Sequence, residues 1–581
     1  MKILKFAIGL CLGLLLIALP LSQFQPSSLS PLETMVVQES GRKKPLDTVA
    51  KETVAKIYGR STYAHDGIKE GPMETFLSLW LNNRNWNEEP FVLFSYRPLK
   101  EAIGLDADQK HFSFQTLMSN QALGDVVREA HRKESNGDEL SRDEREALAL
   151  EDRLTLMVSM VNDDAIAIVP HPDDIKGKWV GITEAQSLYD VEAVAPLLAS
   201  FTLIKQSVFS STFSDTSHLT EHLLALSPLA VSLQDGLREL SPSVYPAVGA
   251  MDQEVFFNHF HPFAKAWQLY GVAFIVMLIA LWVKPWESLY WSSIGLFVAG
   301  VTVQSVGFWL RMQIAGRPPV TNMYESVVWV GFGISAIALT FELIYRAKYY
   351  LLAAAPLSVM CLILADSLPA VLDPSISPLV PVLRDNFWLS IHVPTIALSY
   401  ASFALALGIG HVALGSYLFS PQAKSRIQLL SKLNYNVLQV GVLLLTAGII
   451  LGGIWAHFSW GRFWGWDPKE TWALIALLCY LIPLHGRLVG WIGNFGISVA
   501  SVVAFNAVLM AWYGVNFVLG TGLHSYGFGT GGSEWMIAGV VGADLLFVLA
   551  ASARYKGWLT PSDTVASLVT EPTGAEASAN S

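Results

Sequence analysis

The sequence is poor in charged residues. They make up 15% of the 581 residues, against about 25% in an ordinary soluble domain. Hydrophobic residues reach 52%, and the mean hydropathy is +0.41. This composition indicates that much of the chain faces lipid. The formal net charge of −10 argues against nucleic acid as a partner.

Cysteine is scarce as well. The three cysteines, Cys11, Cys361 and Cys479, all lie in apolar runs. The polar region at 24–265 contains none, so no disulfide framework holds that region together. The sequence also lacks Cys-x-x-Cys-His, so the chain is not itself a c-type cytochrome by that signature.

Long apolar runs divide the chain. The first, at 6–21 behind Lys2 and Lys5, is typical of an uncleaved membrane anchor or of a signal peptide. Residues 24–265 contain no run of membrane length, whereas from Ala266 onward stretches of about 20 apolar residues, enough to cross a bilayer, follow one another. The predicted spans lie near 266–283, 288–310, 323–345, 350–371, 388–412, 434–456, 471–487, 490–513 and 535–553.

These runs predict an all-α polytopic membrane protein of about ten transmembrane helices with a helix-rich α+β extracytoplasmic domain. The predicted parts are an anchor or signal peptide at 1–23, the extracytoplasmic domain at 24–265, a transmembrane domain at 266–556 and a disordered tail at 557–581. With both termini in the cytoplasm, every inner connection carries Lys or Arg, although some outer loops do too. We therefore predict a multi-pass inner (plasma) membrane protein.

Local patterns predict some elements of the polar region. Residues 142–153 are typical of a helix with a solvated charged face, and 165–169 and 179–182 are typical of short strands. Further upstream the sequence predicts a helix from Asp47, which Asp47 or Thr48 would cap.

Residues 452–472 (GGIWAHFSWGRFWGWDPKETW), called here the Trp segment, are the most informative stretch. Tryptophan gathers at membrane interfaces, but such a belt needs neither Asp-Pro-Lys-Glu-Thr nor glycines among the indoles. A flat aromatic surface with adaptable glycines suits a flat aromatic ligand. The five tryptophans are Trp455, Trp460, Trp464, Trp466 and Trp472.

The sequence WGRFWGWDPKETWALI at 460–475 resembles the WWD signature of the haem-handling proteins of cytochrome c maturation. Within that family, WDPKETW is similar to the System II branch of the CcsA or ResC type. The resemblance covers about 266–553, and residues 39–60 resemble a stretch of the extended members with a large external N-terminal domain. It implies that the chain binds non-covalent haem b through histidine.

Two histidines flank the Trp segment on the same predicted side of the membrane. Facing imidazoles make a bis-His haem site, and the resemblance implies that His392 and His524 ligate haem from opposite faces. It also implies an inner site with a ligand at His485, opposed by a residue of a CcsB/ResB-type partner. The alternatives are ordinary interfacial histidines and, for His485, a side chain that snorkels beside Arg487.

Other candidates stay open. His411 is one helix length after His392 and could oppose His485 without a partner, whereas His457 is a weaker ligand candidate. A metal site at His259 and His261 competes with plain interfacial placement. The candidates for pairing with haem propionates are Arg311, Arg317, Arg462 and Lys469.

Acidic residues of the Trp segment have two interpretations. Asp467 and Glu470 either orient the loop or act in proton or thiol chemistry. We take Asp467, with His392 and His524, as the candidate catalytic set.

The resemblance implies a holocytochrome c synthase (haem lyase). Haem would cross the membrane and then be attached through thioethers to the Cys-x-x-Cys-His of apocytochrome c at the external site. The alternatives are a haem transporter or chaperone without attachment activity, and a non-haem structural or quinone-linked membrane subunit.

Overall fold

The computed structural model describes residues 31–558 except 40, 66–67, 83, 162–165, 211–225, 283–286, 369–370, 380, 520–523 and 525–533, together with residues 7, 9–11 and 13. The predicted anchor at 1–23 and tail at 557–581 lie almost entirely outside the described residues.

The polar part combines helices with three two-stranded antiparallel sheets among the described residues. Its elements are β1 (Val36–Glu39), β2 (Arg42–Pro45), α1 (Leu46–Tyr58), β3 (Tyr63–His65), β4 (Ile68–Glu70), α2 (Pro72–Trp80), β5 (Val92–Leu93), α3 (Arg97–Ala102), β6 (His111–Phe112), α4 (Phe114–Met118), α5 (Gln121–Asn136), α6 (Arg142–Val161), α7 (Val191–Ser210) and α8 (Ser227–Leu240). The sheets pair β1 with β2, β3 with β4 and β5 with β6.

Sequence patterns predict some of these elements correctly and others not. The predicted charged helix at 142–153 is confirmed as part of α6. The predicted strands reduce to isolated bridges, Gln38 with Ala167 and Val169 with Val180. The predicted cap is wrong, because α1 begins one residue earlier and Pro45 precedes it without a side-chain cap. Asp47 therefore lies inside the first turn, where its carboxylate makes tertiary contacts.

The second part is helical. Its elements are α9 (Asp252–Phe260), α10 (Pro262–Trp282), α11 (Glu287–Ala315), α12 (Met323–Tyr345), α13 (Tyr349–Ser367), α14 (Asn386–Phe419), α15 (Lys424–Trp460), α16 (Pro468–Leu488), α17 (Asn494–Val503), α18 (Phe505–Leu509), a π-helical stretch (Met510–Leu519) and α19 (Glu534–Tyr555).

Nine helical segments among the described residues are long and apolar enough to cross a membrane. The first runs through α9 and α10, and the eighth runs from α17 to the end of the π-helical stretch. All nine predicted spans after residue 265 coincide with one of them, so the polytopic helical fold is confirmed.

Helices α14 and α15 pack closely and position the site. A Cβ at Gly441 would lie 2.5 Å from the Phe403 ring, and one at Gly448 would lie 2.5 Å from Ile396. Small residues let membrane helices approach in this way. The ring of Phe403 also stacks on Tyr480 of α16, with centroids 3.8 Å apart. The three helices therefore pack tightly against one another.

Two large apolar cores are present. One gathers buried residues between Leu32 and Tyr245, and the other gathers those between Phe260 and Tyr513. Helix α9 connects them, because Glu254 accepts a hydrogen bond from Thr48 at 2.8 Å and also pairs with Arg42. The predicted division at 265 falls inside α10 and stays a prediction.

Candidate functional site

His392 lies near the start of α14, which Asp385 caps by accepting hydrogen bonds from the backbone N–H groups of Phe387 and Trp388. Its Nδ1 is 3.0 Å from the carbonyl oxygen of Gly448 on α15. A carbonyl oxygen can only accept, so Nδ1 carries the proton and Nε2 is the basic nitrogen. This is the tautomer that binds a metal through Nε2.

Glycine on α15 makes room for this imidazole. A Cβ at Gly452 would lie 2.6 Å from Cε1 of His392 and 3.2 Å from its Nε2. The indole of Trp455 meets the same ring edge-on, with centroids 5.7 Å apart. Trp455 is buried, and its Nε1 has no hydrogen-bond partner within the described part of the chain.

The Trp segment turns from α15 into α16 through two residues in the left-handed region. Gly461 has φ +68°, which suits glycine, and Trp466 has φ +59°. A non-glycine residue with positive φ is uncommon and often marks a functional constraint. Trp466 is 69% exposed and meets Trp464 edge-on at 5.7 Å. The turn therefore presents a large indole face to its surroundings.

A capping box fixes the start of α16. Asp467 accepts from the backbone N–H of Lys469 at 2.9 Å, and Glu470 accepts from the N–H of Asp467 at 3.2 Å. Glu470 also accepts from Gly465 N–H at 2.8 Å and from Arg462 at 3.0 Å. Glu470 thus holds the loop. These contacts favour loop orientation over proton or thiol chemistry for this residue.

His524 meets the same cap from the far end of the sequence. Its Nδ1 lies 3.0 Å from Oδ1 of Asp467, a carboxylate only 3% exposed, and its ring meets Trp460 edge-on at 5.0 Å. A carboxylate accepts the proton on Nδ1, so Nε2 is again the basic nitrogen. Carboxylates and carbonyls commonly orient metal-binding histidines in this manner.

Both flanking histidines contact residues of the Trp segment. His392 lies within electrostatic reach of both His524 and Lys469. The Nζ of Lys469 donates to Oδ1 of Asn516 in the π-helical stretch at 3.2 Å. We call His392, His524 and the tryptophans of the Trp segment the paired-histidine site.

His485 is far from this site. It lies at the opposite end of α16, 18 residues after Asp467, or about 27 Å along the axis. Its side chain is exposed, and Nδ1 contacts the Leu481 carbonyl oxygen at 2.9 Å.

Both ring nitrogens of His411 have hydrogen-bond partners. Nδ1 is 2.9 Å from the carbonyl oxygen of Leu407, and Nε2 is 3.0 Å from Oδ1 of Asp544. These contacts disfavour His411 as a haem ligand.

The arginine candidates differ in accessibility. Arg311 is buried and donates to Glu325 at 2.7 Å and to the Pro374 carbonyl at 2.8 Å. Arg317 donates to the Ser377 carbonyl at 2.6 Å. Arg462 pairs with Glu470 and lies over the Trp460 ring. Arg311 is therefore an internal ion-pair partner, whereas Lys469 lies within electrostatic reach of His392.

His457 lies inside the Trp segment but outside this arrangement. Its side chain is exposed and meets Phe458 edge-on at 5.8 Å. His457 is therefore a suitable control position for substitutions at the two flanking histidines.

The sequence gives no direct signal for the groups that hold the imidazoles. Gly448 and Asp467 come from other helices, 56 and 57 residues away from the histidine each one contacts. The pair Gly452-Gly453 is the one available sign of a close approach.

Comparison with known proteins defines the class. The family described as "Cytochrome C assembly protein" matches residues 320–524, a range that holds both flanking histidines and the whole Trp segment. The chain is 34% identical over 302 residues to cytochrome c biogenesis protein CcsA of Synechococcus sp. (strain CC9605), covering 46% of this chain and 98% of that protein. It therefore belongs to the CcsA family of cytochrome c biogenesis proteins.

Two further relatives agree. CcsA of Prochlorococcus marinus (strain AS9601) is 37% identical over 251 residues, covering 38% of this chain and 79% of that protein. Protein NrfI of Wolinella succinogenes is 28% identical over 510 residues, which is 86% of this chain. The chain spans about half the length of NrfI (54%), and the similarity extends into the polar N-terminal part. Membership of this family implies a role in cytochrome c maturation and the handling of haem.

Proposed function

We propose that the protein is the CcsA-type subunit of a System II holocytochrome c synthase. It receives haem at an inner site, delivers it to the paired-histidine site and promotes its thioether attachment to apocytochrome c. Haem b is a substrate here, held without a covalent bond to this chain. The observation that carries the proposal is the shared tautomer of His392 and His524, since each holds Nδ1 in a hydrogen bond and keeps a basic Nε2.

The surroundings of these imidazoles fit a large flat ligand. Trp455 and Trp460 each meet one of the imidazoles edge-on, and Trp466 offers an exposed indole. Trp464 meets Trp466 edge-on and extends this aromatic surface, whereas Trp472 packs against the apolar core of the helical part. Lys469 is the cation best placed to pair with a propionate, because its Nζ donates to the neutral amide of Asn516 rather than to a carboxylate.

The residues of this chain bind and orient haem, and they form no covalent bond with it. Each cysteine thiol of the apocytochrome adds across one haem vinyl group. The new S–C bond forms at the vinyl carbon next to the ring, the thiol proton ends on the terminal carbon, and no net oxidation occurs. His392 and His524 hold the iron, and the apocytochrome histidine then replaces one of them. Asp467 acts as a positioning residue through His524. Orientation of this kind supplies much of the rate.

The inner end of the path involves His485. Its exposed side chain lies one span length from Asp467, so it is available to a haem that arrives from the other membrane face. We propose that a CcsB/ResB-type partner supplies the opposing ligand. In this topology both termini are cytoplasmic, and the paired-histidine site and residues 24–265 are extracytoplasmic.

A polar cleft of about 2000 Å³ lies between the two parts of the chain. It is lined by charged residues of α1 and α6 on one side and by Asn516 and Leu519 on the other. Because Asn516 contacts Lys469, the cleft leads toward the paired-histidine site. We propose that it admits the haem-binding peptide of the apocytochrome.

Absorption spectroscopy of the purified protein tests the central claim. The protein is co-expressed with its partner and compared with the His392→Ala/His524→Ala double variant and with His457→Ala as the control. We expect a reduced bis-His b-type spectrum in the wild type and in the control, and its loss in the double variant. A spectrum retained in the double variant would assign the haem to His485 and favour transport. A colourless, folded wild type would contradict haem binding.

Attachment is tested separately. We expect thioether-linked cytochrome to form when this chain and its partner are the sole maturation proteins present. Haem transfer without thioether formation would make the protein a transporter or chaperone.

A further inference from the structure

A second cluster of metal-ligating groups lies where α9 meets the polar part, away from the paired-histidine site. It contains Glu33, Asp47 and His259, and their ligand atoms all lie within 4.8 Å of one another. Two carboxylates and an imidazole are a donor set that divalent transition ions accept. None of these three residues takes part in the function proposed for His392, His524 and the Trp segment.

The distances suit both a shared metal ion and an ion pair between His259 and the two carboxylates. Nε2 of His259 is 3.4 Å from Oε1 of Glu33 and 3.6 Å from Oδ1 of Asp47. A good N–H···O bond spans roughly 2.7–3.2 Å. Ligand atoms about 2.0–2.2 Å from one tetrahedral zinc ion lie roughly 3.3–3.6 Å apart. The observed spacing falls in the second range.

Other contacts hold the donors in place. The backbone N–H of Asp47 donates to the carbonyl of Glu33 at 3.1 Å, which ties the two acidic residues together. The Nδ2 of Asn258 donates to Oδ2 of Asp47 at 2.8 Å, so Oδ1 is the oxygen turned toward His259. Groups that orient a ligand carboxylate commonly surround metal sites.

Electrostatics also favour a cation here. The side chains of Glu33 and Asp47 are 14% and 7% exposed, so two carboxylates share a poorly hydrated place. Lys51 lies within electrostatic reach of Asp47, and desolvation lowers the pKa of this lysine. His261 adds a further imidazole nearby, within reach of both Lys51 and His259.

We propose that Glu33, Asp47 and His259 bind one divalent cation of the Zn²⁺ class. Asn258 and His259 also line the polar cleft, so the remaining coordination position faces that cleft and is filled by water or by a group of a bound partner. The ion fastens the segment at 31–47 to α9. This site does not depend on the proposed haem chemistry.

Zinc titration of the full-length protein tests the proposal. The protein carries a tag without histidine, is stripped with chelator, and is titrated with Zn²⁺ by calorimetry in nanodiscs. We expect one equivalent to bind, and we expect Glu33→Gln and His259→Asn each to weaken binding by at least about 100-fold. The control is His131→Asn, because His131 also faces two carboxylates, Glu134 and Glu151, but in an exposed cluster.

Co²⁺ substitution gives a second readout that does not need the variants to be as stable as the wild type. Tetrahedral Co²⁺ absorbs in the visible, and we expect this absorption in the wild type and in His131→Asn. No stoichiometric binding to the wild type, or unchanged affinity in both Glu33→Gln and His259→Asn, would overturn the proposal. In that case a protonated His259 alone would balance the two carboxylates.

Discussion

At the scale of single residues, Asp467 performs two tasks that substitutions can separate. It caps α16 through the N–H of Lys469, and it pairs with Nδ1 of His524. Asparagine caps helices about as well as aspartate, whereas alanine loses about 1 kcal/mol. Asp467→Asn therefore keeps the cap but removes the carboxylate that orients the imidazole.

We expect Asp467→Asn to weaken haem binding at the paired-histidine site roughly 10–100-fold with little change in thermal stability. Asp467→Ala should weaken haem binding similarly and also destabilise the protein by about 1 kcal/mol. Haem titration and thermal unfolding, both in detergent, measure the two effects. Equal haem affinity in Asp467→Asn and wild type would exclude the positioning role.

Gly452 gives a steric prediction at the other imidazole. Alanine is favoured over glycine inside a helix by about 1 kcal/mol, so Gly452→Ala should stabilise α15 if nothing opposes it. The new Cβ would instead lie 2.6 Å from His392 and displace its ring. We expect at least a tenfold loss of haem affinity at this site, measured by spectral titration.

Gly539→Ala is the matched control for Gly452→Ala. Gly539 lies in α19, and a Cβ there meets nothing within 4 Å. A haem spectrum that Gly452→Ala leaves intact would place His392 outside the ligand set.

The motif WDPKETW identified the Trp segment in the sequence, and the family resemblance named the two flanking histidines. Their role as haem ligands stays a prediction. The partners of those histidines were not predictable, because Gly448 and Asp467 reach them only through the packing of separate helices. Arg311 was one of four candidates for pairing with haem propionates, and its buried partner Glu325 was not predictable for the same reason.

At the scale of helices, one buried ion pair joins α11 and α12. Arg311 donates to Glu325 at 2.7 Å, and both side chains are almost fully buried. Glu325 also accepts from the N–H and hydroxyl of Thr321, each at 2.7 Å. Removing the arginine leaves a carboxylate buried without its counter-charge, which costs about 3–5 kcal/mol.

We therefore expect Arg311→Met to destabilise the protein by about 3–5 kcal/mol. The double variant Arg311→Met/Glu325→Gln should recover most of this loss, because no charge is then left buried. Denaturant titration in detergent measures both. A single variant as stable as the wild type, or no recovery in the double variant, would contradict a structural role for the pair.

The existence of each membrane-length helix after residue 265 was predictable because long apolar runs are strong signals, although α15 begins ten residues before the predicted span at 434–456. Short elements were not predictable. The predicted strand at 165–169 pairs through single bridges to two different segments, which no local pattern encodes. The predicted cap on α1 failed because Asp47 faces Asn258 and His259, more than 200 residues away.

At the scale of the whole molecule, α9 is the connection between the two cores. Glu254 on this helix accepts from Thr48 and pairs with Arg42. Glu254→Gln keeps the shape and removes the charge. We expect faster amide hydrogen exchange in α1 and α9, by roughly tenfold, with α14–α16 unchanged, since a charge-assisted bond contributes about 1.5–3 kcal/mol.

The control for Glu254→Gln is Glu101→Gln, which removes an exposed pair with Arg97 four residues away on the same helix. Exposed ion pairs contribute about 0–1 kcal/mol to stability, so amide hydrogen exchange should change little in Glu101→Gln. Equal exchange in α1 and α9 of Glu254→Gln and wild type would show that other contacts fasten the two parts.

The paired-histidine site also has a consequence for how the protein is made. Its components arrive in order along the chain: His392, then the Trp segment, then His524. A ribosome adds residues in that same order, so the site can close only after translation has passed residue 524. A nascent chain stopped earlier displays His392 and the tryptophans without the second imidazole. The proposed haem coordination by both imidazoles is therefore restricted to chains whose membrane helices up to the π-helical stretch have all been synthesised.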